Sequence, residues 1–301
     1  MQQQQPQRVA SLDASTPRVA LSVVLPARNE QGTVGGTVAG VRALHPSAEI
    51  LVVDDGSTDA TARFAEDAGA QVLRRPYGMG NGAAIKAGAR AARGDVIVFM
   101  DADGQHDPVD IARLLQRLDE GYDMVVGARD GGSQASVGRG LANRLYNRLA
   151  SWVIGHPVLD LTSGFRAARA ERFREFIHLL PNGFSYPTTS TMAFFRSAYP
   201  VAYVPIKAAR RIGRSHIRPL LDGLRFLLII FKIATLYSPL KLFVPVSVGF
   251  GALGLGWYAW TFSTAGRFTN MSALLLSAGV IVFLIGLISE QITNLTYRRD
   301  G

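Results

Sequence analysis

The chain has 301 residues, with 32 Lys and Arg against 23 Asp and Glu, a net charge of +9 and no cysteine. That length accommodates one large domain or two smaller ones, and the missing cysteine excludes a disulfide framework and thiol catalysis. The arginines are spread along the chain instead of gathered with interleaved aromatics, which argues against a nucleic-acid partner; an anionic membrane surface or a phosphorylated substrate accounts for the positive excess.

Residues 1–18, MQQQQPQRVASLDASTPR, are polar and lack the apolar stretch of a signal peptide, so they are expected to form a disordered tail. Beyond them, apolar runs with strand character alternate with helical patterns. Leu21–Ala27, Glu49–Asp55, Ala70–Pro76, Val96–Asp103 and Asp123–Arg129 read as strands, with helices near 32–45, 58–68, 81–93 and 108–119. This alternation predicts an α/β fold with right-handed crossovers and a mostly parallel sheet covered on both faces. In such sheets ligands bind beyond the carboxyl ends of the strands. The polar groups Pro26 to Glu30, Asp54 to Asp59 and Asp101 to His106 each follow an apolar run.

The last group has the plainest chemistry. Asp101 and Asp103 project to one side of a strand end, and Gln105 continues that side if the backbone stays extended. Two carboxylates and an amide oxygen are hard ligands suited to Mg²⁺ or Mn²⁺, which keeps further positions for water and substrate phosphates. A turn with a helix cap from Asp107 explains the same residues without a metal. Ser57, Thr58 and Asp59 read as helix caps, whereas Asp54 and Asp55 have no local role and suit a ribose hydroxyl or a base N–H. Glu30, in the PARNE turn, has the same opportunity, and a purely structural role fits it equally. Gly80 and Gly82 either let a helix lie close on the sheet or let backbone approach a nucleotide. His106 reads as a residue that orders its loop.

The C-terminal part differs in kind. Residues 217–236 are apolar but interrupted by Arg218, Asp222, Arg225 and Lys232, the pattern of an interfacial helix. Leu242–Phe262 and Met271–Ser289 carry no charge and are each long enough to cross a hydrocarbon core of about 30 Å. The short link between them makes a hairpin. Lys232, Lys241, Arg298 and Arg299 at its outer ends, against a lone Arg267 in the link, put the N-terminal region on the cytoplasmic side. Gly251, Gly254 and Gly256 suit close helix packing and a homo-oligomer.

Taken in order, VVLPARNE, VVDDGSTD, GNGAAIKAG, GDVIVFMDADGQHDP, VVGAR and LTSGFRA resemble the GT-A family 2 glycosyltransferases. With the hairpin, the chain is most similar to the polyprenyl-phosphate sugar transferases, a group that includes dolichyl-phosphate mannose synthase. The resemblance implies a GT-A domain over 19–216, an interfacial segment over 217–238 and a transmembrane hairpin over 239–297. It implies that Pro26, Glu30, Asp55 and Asp101 hold the nucleotide of a nucleotide-sugar donor, and that Asp101, Asp103 and Gln105 hold Mg²⁺ or Mn²⁺. It further implies that Arg129, Arg144, Asn147, Arg211 and Ser215 face the phosphate of a polyprenyl phosphate acceptor, Asp103 and Arg129 being the catalytic pair. His216 stands where the family often has lysine.

The activity so implied is inverting transfer of one sugar to undecaprenyl phosphate on the cytoplasmic leaflet of the inner membrane. A lipid phosphate is already anionic, so no strong general base is required. Three alternatives fit less of the sequence. A haloacid-dehalogenase-like phosphatase usually opens with its DxD, a processive polysaccharide synthase carries a QxxRW element and more spans, and a non-catalytic membrane-anchored scaffold has no need of Asp101, Asp103 and Gln105 together.

Overall fold

The structure is a computed structural model that describes residues 20–129, 137–183, 186–207, 231, 235 and 237–297. Seven strands form one sheet: β1 (Leu21–Ala27), β2 (Glu49–Asp54), β3 (Gln71–Arg74), β4 (Val96–Phe99), β5 (Met124–Arg129), β6 (Arg166–Arg169) and β7 (Val201–Ile206). The helices are α1 (Val34–Leu44), α2 (Thr61–Asp67), α3 (Asn81–Ala91), α4 (Asp110–Asp119), α5 (Val137–Ile154), α6 (Ala170–Glu175), α7 (Tyr186–Arg196), α8 (Pro239–Ala265) and α9 (Asn270–Tyr297).

The five strands and four helices expected up to Arg129 are all present, trimmed by a few residues at their ends. The sheet order is β3-β2-β1-β4-β6-β5-β7. All strands run parallel except β6, which pairs antiparallel with both β4 and β5. Alternation along the strands divides the core. Val24, Leu51, Val53, Ile97 and Phe99 face α3, α5, α6 and α7. Val23, Leu25, Ile50, Val52 and Val98 face α1, α2 and α4. These side chains are wholly or almost wholly buried, and each contributes roughly 1.5–3 kcal/mol by leaving water.

Two devices hold the sheet at fixed spacing. A Cβ on Gly88 would lie 2.3 Å from Val24 Cγ1, so α3 sits on β1 as closely as only glycine permits. At the opposite end of the strands, buried Glu49 accepts from the Ser22 hydroxyl, the Arg93 backbone N–H and Arg93 Nε, tying β1, β2 and the entrance to β4 together. The chain reverses around β1: β2 and β3 lie to one side and β4 to the other. Its crevice is where this class of sheet receives ligands.

The two C-terminal helices form an antiparallel pair. Both are long and apolar enough to cross a membrane, with mean hydropathies of 1.5 and 2.6, and their apolar side chains are largely exposed. Gly254 closes on Leu276 and Gly286 on Phe243, so glycines of the pair serve its internal packing, whereas Gly256 faces open space. The pair is fastened to the sheet domain. Lys241 Nζ donates to the carbonyls of Trp152 and Val153 at the end of α5, Arg196 Nη2 donates to Asn294 Oδ1 at 2.8 Å, and the buried Tyr237 hydroxyl donates to the Thr189 carbonyl. The N-terminal tail and nearly all of the interfacial segment expected over 217–236 lie outside the described residues.

Candidate active site

A cleft of about 670 Å³ opens at the carboxyl ends of β1, β2 and β4. Its lining includes Pro26, Arg28 and Glu30 from the first turn, Asp55 from the second, and Asp101 and Asp103 from the third. Of the six positions expected to hold the nucleotide or the metal, the fold brings five to one cavity: Pro26, Glu30, Asp55, Asp101 and Asp103.

The turns are laced to one another. Asn29, at a left-handed φ of 56°, accepts from the Thr58 backbone N–H, the Asn29 N–H donates to Ser57 Oγ, and the Glu30 N–H donates to Thr61 Oγ1. Ser57 and Thr58 thus bind the first turn instead of capping α2, while Asp59 Oδ1 accepts the Thr61 N–H. Asp54 and Asp55 do have local roles, contrary to the expectation from sequence. Asp54 Oδ1 accepts the Ser57 N–H, and the Asp55 carboxylate accepts the N–H groups of Met79 and Gly80 and pairs with Arg75 at 3.4 Å. Asp55 therefore lines the cleft and also shapes the loop that closes it. Gly80 and Gly82 are pressed against the backbone of 181–183, where a Cβ would come within 2.4 and 2.1 Å of carbonyl oxygens.

After β4 the chain does not stay extended: it turns over Ala102 to Gly104, with Gly104 at φ 74°. The condition that placed Gln105 beside the two aspartates therefore fails. Its backbone N–H donates to Asp103 Oδ1 at 3.1 Å, and its side chain is not part of the cleft lining. His106 is buried, stacked on Phe165 with ring centroids 5.0 Å apart, and its Nε2 lies 3.8 Å from Asp101 Oδ2. Asp107 Oδ1 accepts the Val109 N–H, the local turn that the sequence allows. The donor set suits a hard divalent ion: Asp101 and Asp103 offer carboxylate oxygens in one open cleft, and Gly164 leaves Asp101 clear, since a Cβ there would lie 2.8 Å from Oδ2. Among the described residues no third His, Cys, Asp or Glu completes a protein-only cage, so substrate oxygens and water would fill the remaining positions.

The opposite wall comes from residues to which the sequence reading assigned no role: Tyr146, Thr162, Gly164, Tyr186, Pro187 and Thr188. Burial pushes the Tyr146 hydroxyl up to about 12 and that of Tyr186 higher still, so both stay protonated donors near neutrality. They donate to Thr188 Oγ1 and to the Gly164 carbonyl respectively, each at 3.0 Å. The motif LTSGFRA was the available signal for this wall, but its approach through an antiparallel strand hid which of its ends reaches the cleft.

The phosphate-facing set fares differently. Arg129 Nε and Nη2 donate to Asp160 at 2.8 and 3.0 Å, and Nη2 also donates to Thr162 Oγ1 at 2.6 Å. Its fork is thus engaged by an internal carboxylate, and the guanidinium positions the Asp160–Thr162 turn. The pairing holds the Asp160 carboxyl below the usual range and raises Arg129. Asn147 does not face the cleft either: its amide donates to the Leu159 carbonyl and accepts the Leu161 N–H, pinning the same turn. Arg144 is exposed on α5, and Arg211 and Ser215 lie outside the described residues.

An acidic pair at the crevice of a mostly parallel sheet, facing a wall of neutral side chains, is the arrangement of an α/β protein that holds a phosphorylated ligand through a divalent ion. Residues 22–177 match the family described as Glycosyl transferase family 2, and residues 238–295 match the GtrB C-terminal hairpin. The chain belongs to glycosyl transferase family 2, and it is a glycosyltransferase. It is 29% identical to the glycosyltransferase AglJ of Haloferax volcanii, over 92% of this chain and 94% of that protein. It is 34% identical to an undecaprenyl-phosphate mannosyltransferase of Micrococcus luteus, over 64% of this chain and 85% of that one. A Pseudomonas fluorescens undecaprenyl-phosphate 4-deoxy-4-formamido-L-arabinose transferase is 33% identical over 78% of this chain and 70% of its own. Among solved structures, glucosyl-3-phosphoglycerate synthase of Mycobacterium tuberculosis, in complex with Mn²⁺, UDP and phosphoglyceric acid, superposes with a TM-score of 0.57 at 26% identity, covering 71% of this chain and 77% of that one. The same enzyme has been crystallised with Mg²⁺ and UDP.

Proposed function

We propose that the protein transfers a single sugar from a nucleotide sugar to a polyprenyl phosphate, undecaprenyl phosphate by preference, on the cytoplasmic leaflet of the inner membrane. The observation that carries this reading is the fastening of an acid-lined cleft to an apolar hairpin through Lys241, Arg196 and Tyr237. That arrangement suits a soluble donor and a membrane-borne acceptor. On α5, whose end Lys241 holds beside the hairpin, Leu145 and Trp152 are exposed, as is Leu159 just beyond it, which leaves apolar side chains open on the helix that joins hairpin to cleft. The relatives named above include undecaprenyl-phosphate transferases, which supports the acceptor class.

In this reading Pro26, Glu30 and Asp55 hold the nucleotide, and Asp101 and Asp103 hold a divalent ion, Mg²⁺ or Mn²⁺. Bound there, the ion would neutralise charge on the leaving nucleoside diphosphate as a Lewis acid. The protein's own contribution is mostly placement. Tyr146 and Tyr186 remain neutral, and Asp160 is held by Arg129, so none of the three serves as a strong base. An acceptor phosphate is already ionised and attacks the anomeric carbon directly, with inversion, once the cleft wall orients it. Arg144 and, outside the described residues, Arg211 and Ser215 remain the proposed contacts of that phosphate.

A transfer assay tests the reading: the full-length protein in liposomes with undecaprenyl phosphate, Mg²⁺ or Mn²⁺ and a panel of labelled UDP- and GDP-sugars. Metal-dependent label in the organic phase from one donor is expected. Label released only as free sugar, with none in lipid, would overturn the acceptor.

A further inference from the structure

Among the described residues Arg166 is the largest fully buried side chain, and no carboxylate touches it. Its donated hydrogen bonds all go to neutral oxygens: Nη1 to the Pro187 carbonyl at 2.8 Å, Ser190 Oγ at 2.7 Å and Thr191 Oγ1 at 3.2 Å, and Nη2 to the Ser163 carbonyl. Its Nε is buried without an acceptor. A permanent charge held this way is an expensive means of filling space, because an apolar side chain of similar volume is often neutral or better for stability. The feature lies directly behind the cleft. Ser163 precedes Gly164, over which the Asp101 carboxylate lies, and the first turn of α7 supplies Tyr186, Pro187 and Thr188 to the opposite wall. The guanidinium also lies 5.6 Å from the centre of the Tyr186 ring, whose hydroxyl donates to the Gly164 carbonyl.

We propose that Arg166 is a positioning residue that clamps the Ser163–Gly164 turn to the first turn of α7 and so sets the distance between Asp101 and the acceptor-side wall. The planar fork is required because two segments from different elements must be held at once, one on each side of the guanidinium. Lysine has the charge but presents its donors from a single point. The donor-binding turns after β1 and β2 make no hydrogen bond with Arg166, so the clamp acts on turnover and not on nucleotide binding. This rests on the transfer reaction proposed above.

The test compares full-length Arg166→Lys and Ser190→Ala proteins with the parent in the lipid transfer assay, normalised to folded protein, and follows backbone hydrogen exchange. Misplacing reacting groups by about 1 Å costs on the order of a hundredfold in rate, so Arg166→Lys is expected to lower kcat about tenfold or more while KM for the nucleotide sugar stays within about twofold. Exchange should quicken at Ser163–Gly164 and Tyr186–Thr191 but not in β1 and β2. Ser190→Ala, which removes one acceptor and keeps the fold, should show the same pattern more weakly. Unchanged kcat per folded molecule, a matching rise in donor KM, or faster exchange throughout the sheet would overturn the clamp. A parent protein that labels no lipid would count against the acceptor instead, and exchange at α7 would then judge the clamp by itself.

Discussion

At the scale of single residues, the cleft separates groups that lie open to a ligand from groups that hold others in place. Asp103 is half-buried beside an open cavity and contributes little to the core, so Asp103→Ala should lower transfer about a hundredfold or more while leaving the thermal midpoint nearly unchanged. Melting curves and the lipid assay on one preparation check both halves. Asp160 belongs to the second kind. Its carboxyl is held below its ordinary value by Arg129, so its contribution to stability is present above about pH 4 and is lost as pH falls through its folded value. Asp160→Asn should destabilise the protein near neutrality by about 3–5 kcal/mol, because it leaves Arg129 unpaired, and should flatten the acid limb of a stability-pH profile. Chemical denaturation at pH 7 and at a series of values below about pH 4 reads both effects.

At the scale of elements, the sequence was most legible where one strand follows another in parallel. Val23 to Leu25, Ile50 to Val53 and Ile97 to Phe99 alternate between two helical layers, and the polar residues that follow each run land in the cleft. Legibility failed where that rule is reversed. β6 runs antiparallel between β4 and β5, so its starting end, not its finishing end, meets the cleft, and Thr162 and Gly164 reach the site ahead of their strand. Gln105 was misplaced for a related reason: a period of two holds only while the chain is extended, and Gly104 ends that. The resemblance gives Arg129 and Asn147 a place at the acceptor phosphate, but sequence alone does not show that Asp160 and the Leu159–Leu161 backbone engage them. Two element contacts yield direct tests. Gly88→Ala places a methyl against stiff, buried Val24 and should cost about 1–3 kcal/mol by denaturant melts. Glu49→Gln, far from the cleft, should lower stability by about 1–3 kcal/mol and leave transfer per folded molecule intact.

At the scale of the whole molecule, the fastening of hairpin to catalytic body sets what the enzyme can reach. Lys241 caps the carbonyl end of α5, the helix that also carries Tyr146 into the cleft wall, so one helix joins the hairpin to the site. Lys241→Met should raise KM for polyprenyl phosphate several-fold while leaving binding of the nucleotide with Mn²⁺ unchanged, because only the lipid must meet the site at a fixed depth. Steady-state assays with varied lipid, beside calorimetry with UDP and GDP, check the split. The same fastening would make the cleft an inclinometer. A span whose length differs from the thickness of its bilayer tilts to compensate, and a cleft fixed to that span tilts with it. With the hairpin spanning a bilayer as proposed, membrane thickness would enter catalysis as an angle of approach, and a thicker or thinner membrane would change turnover without altering any residue of the site.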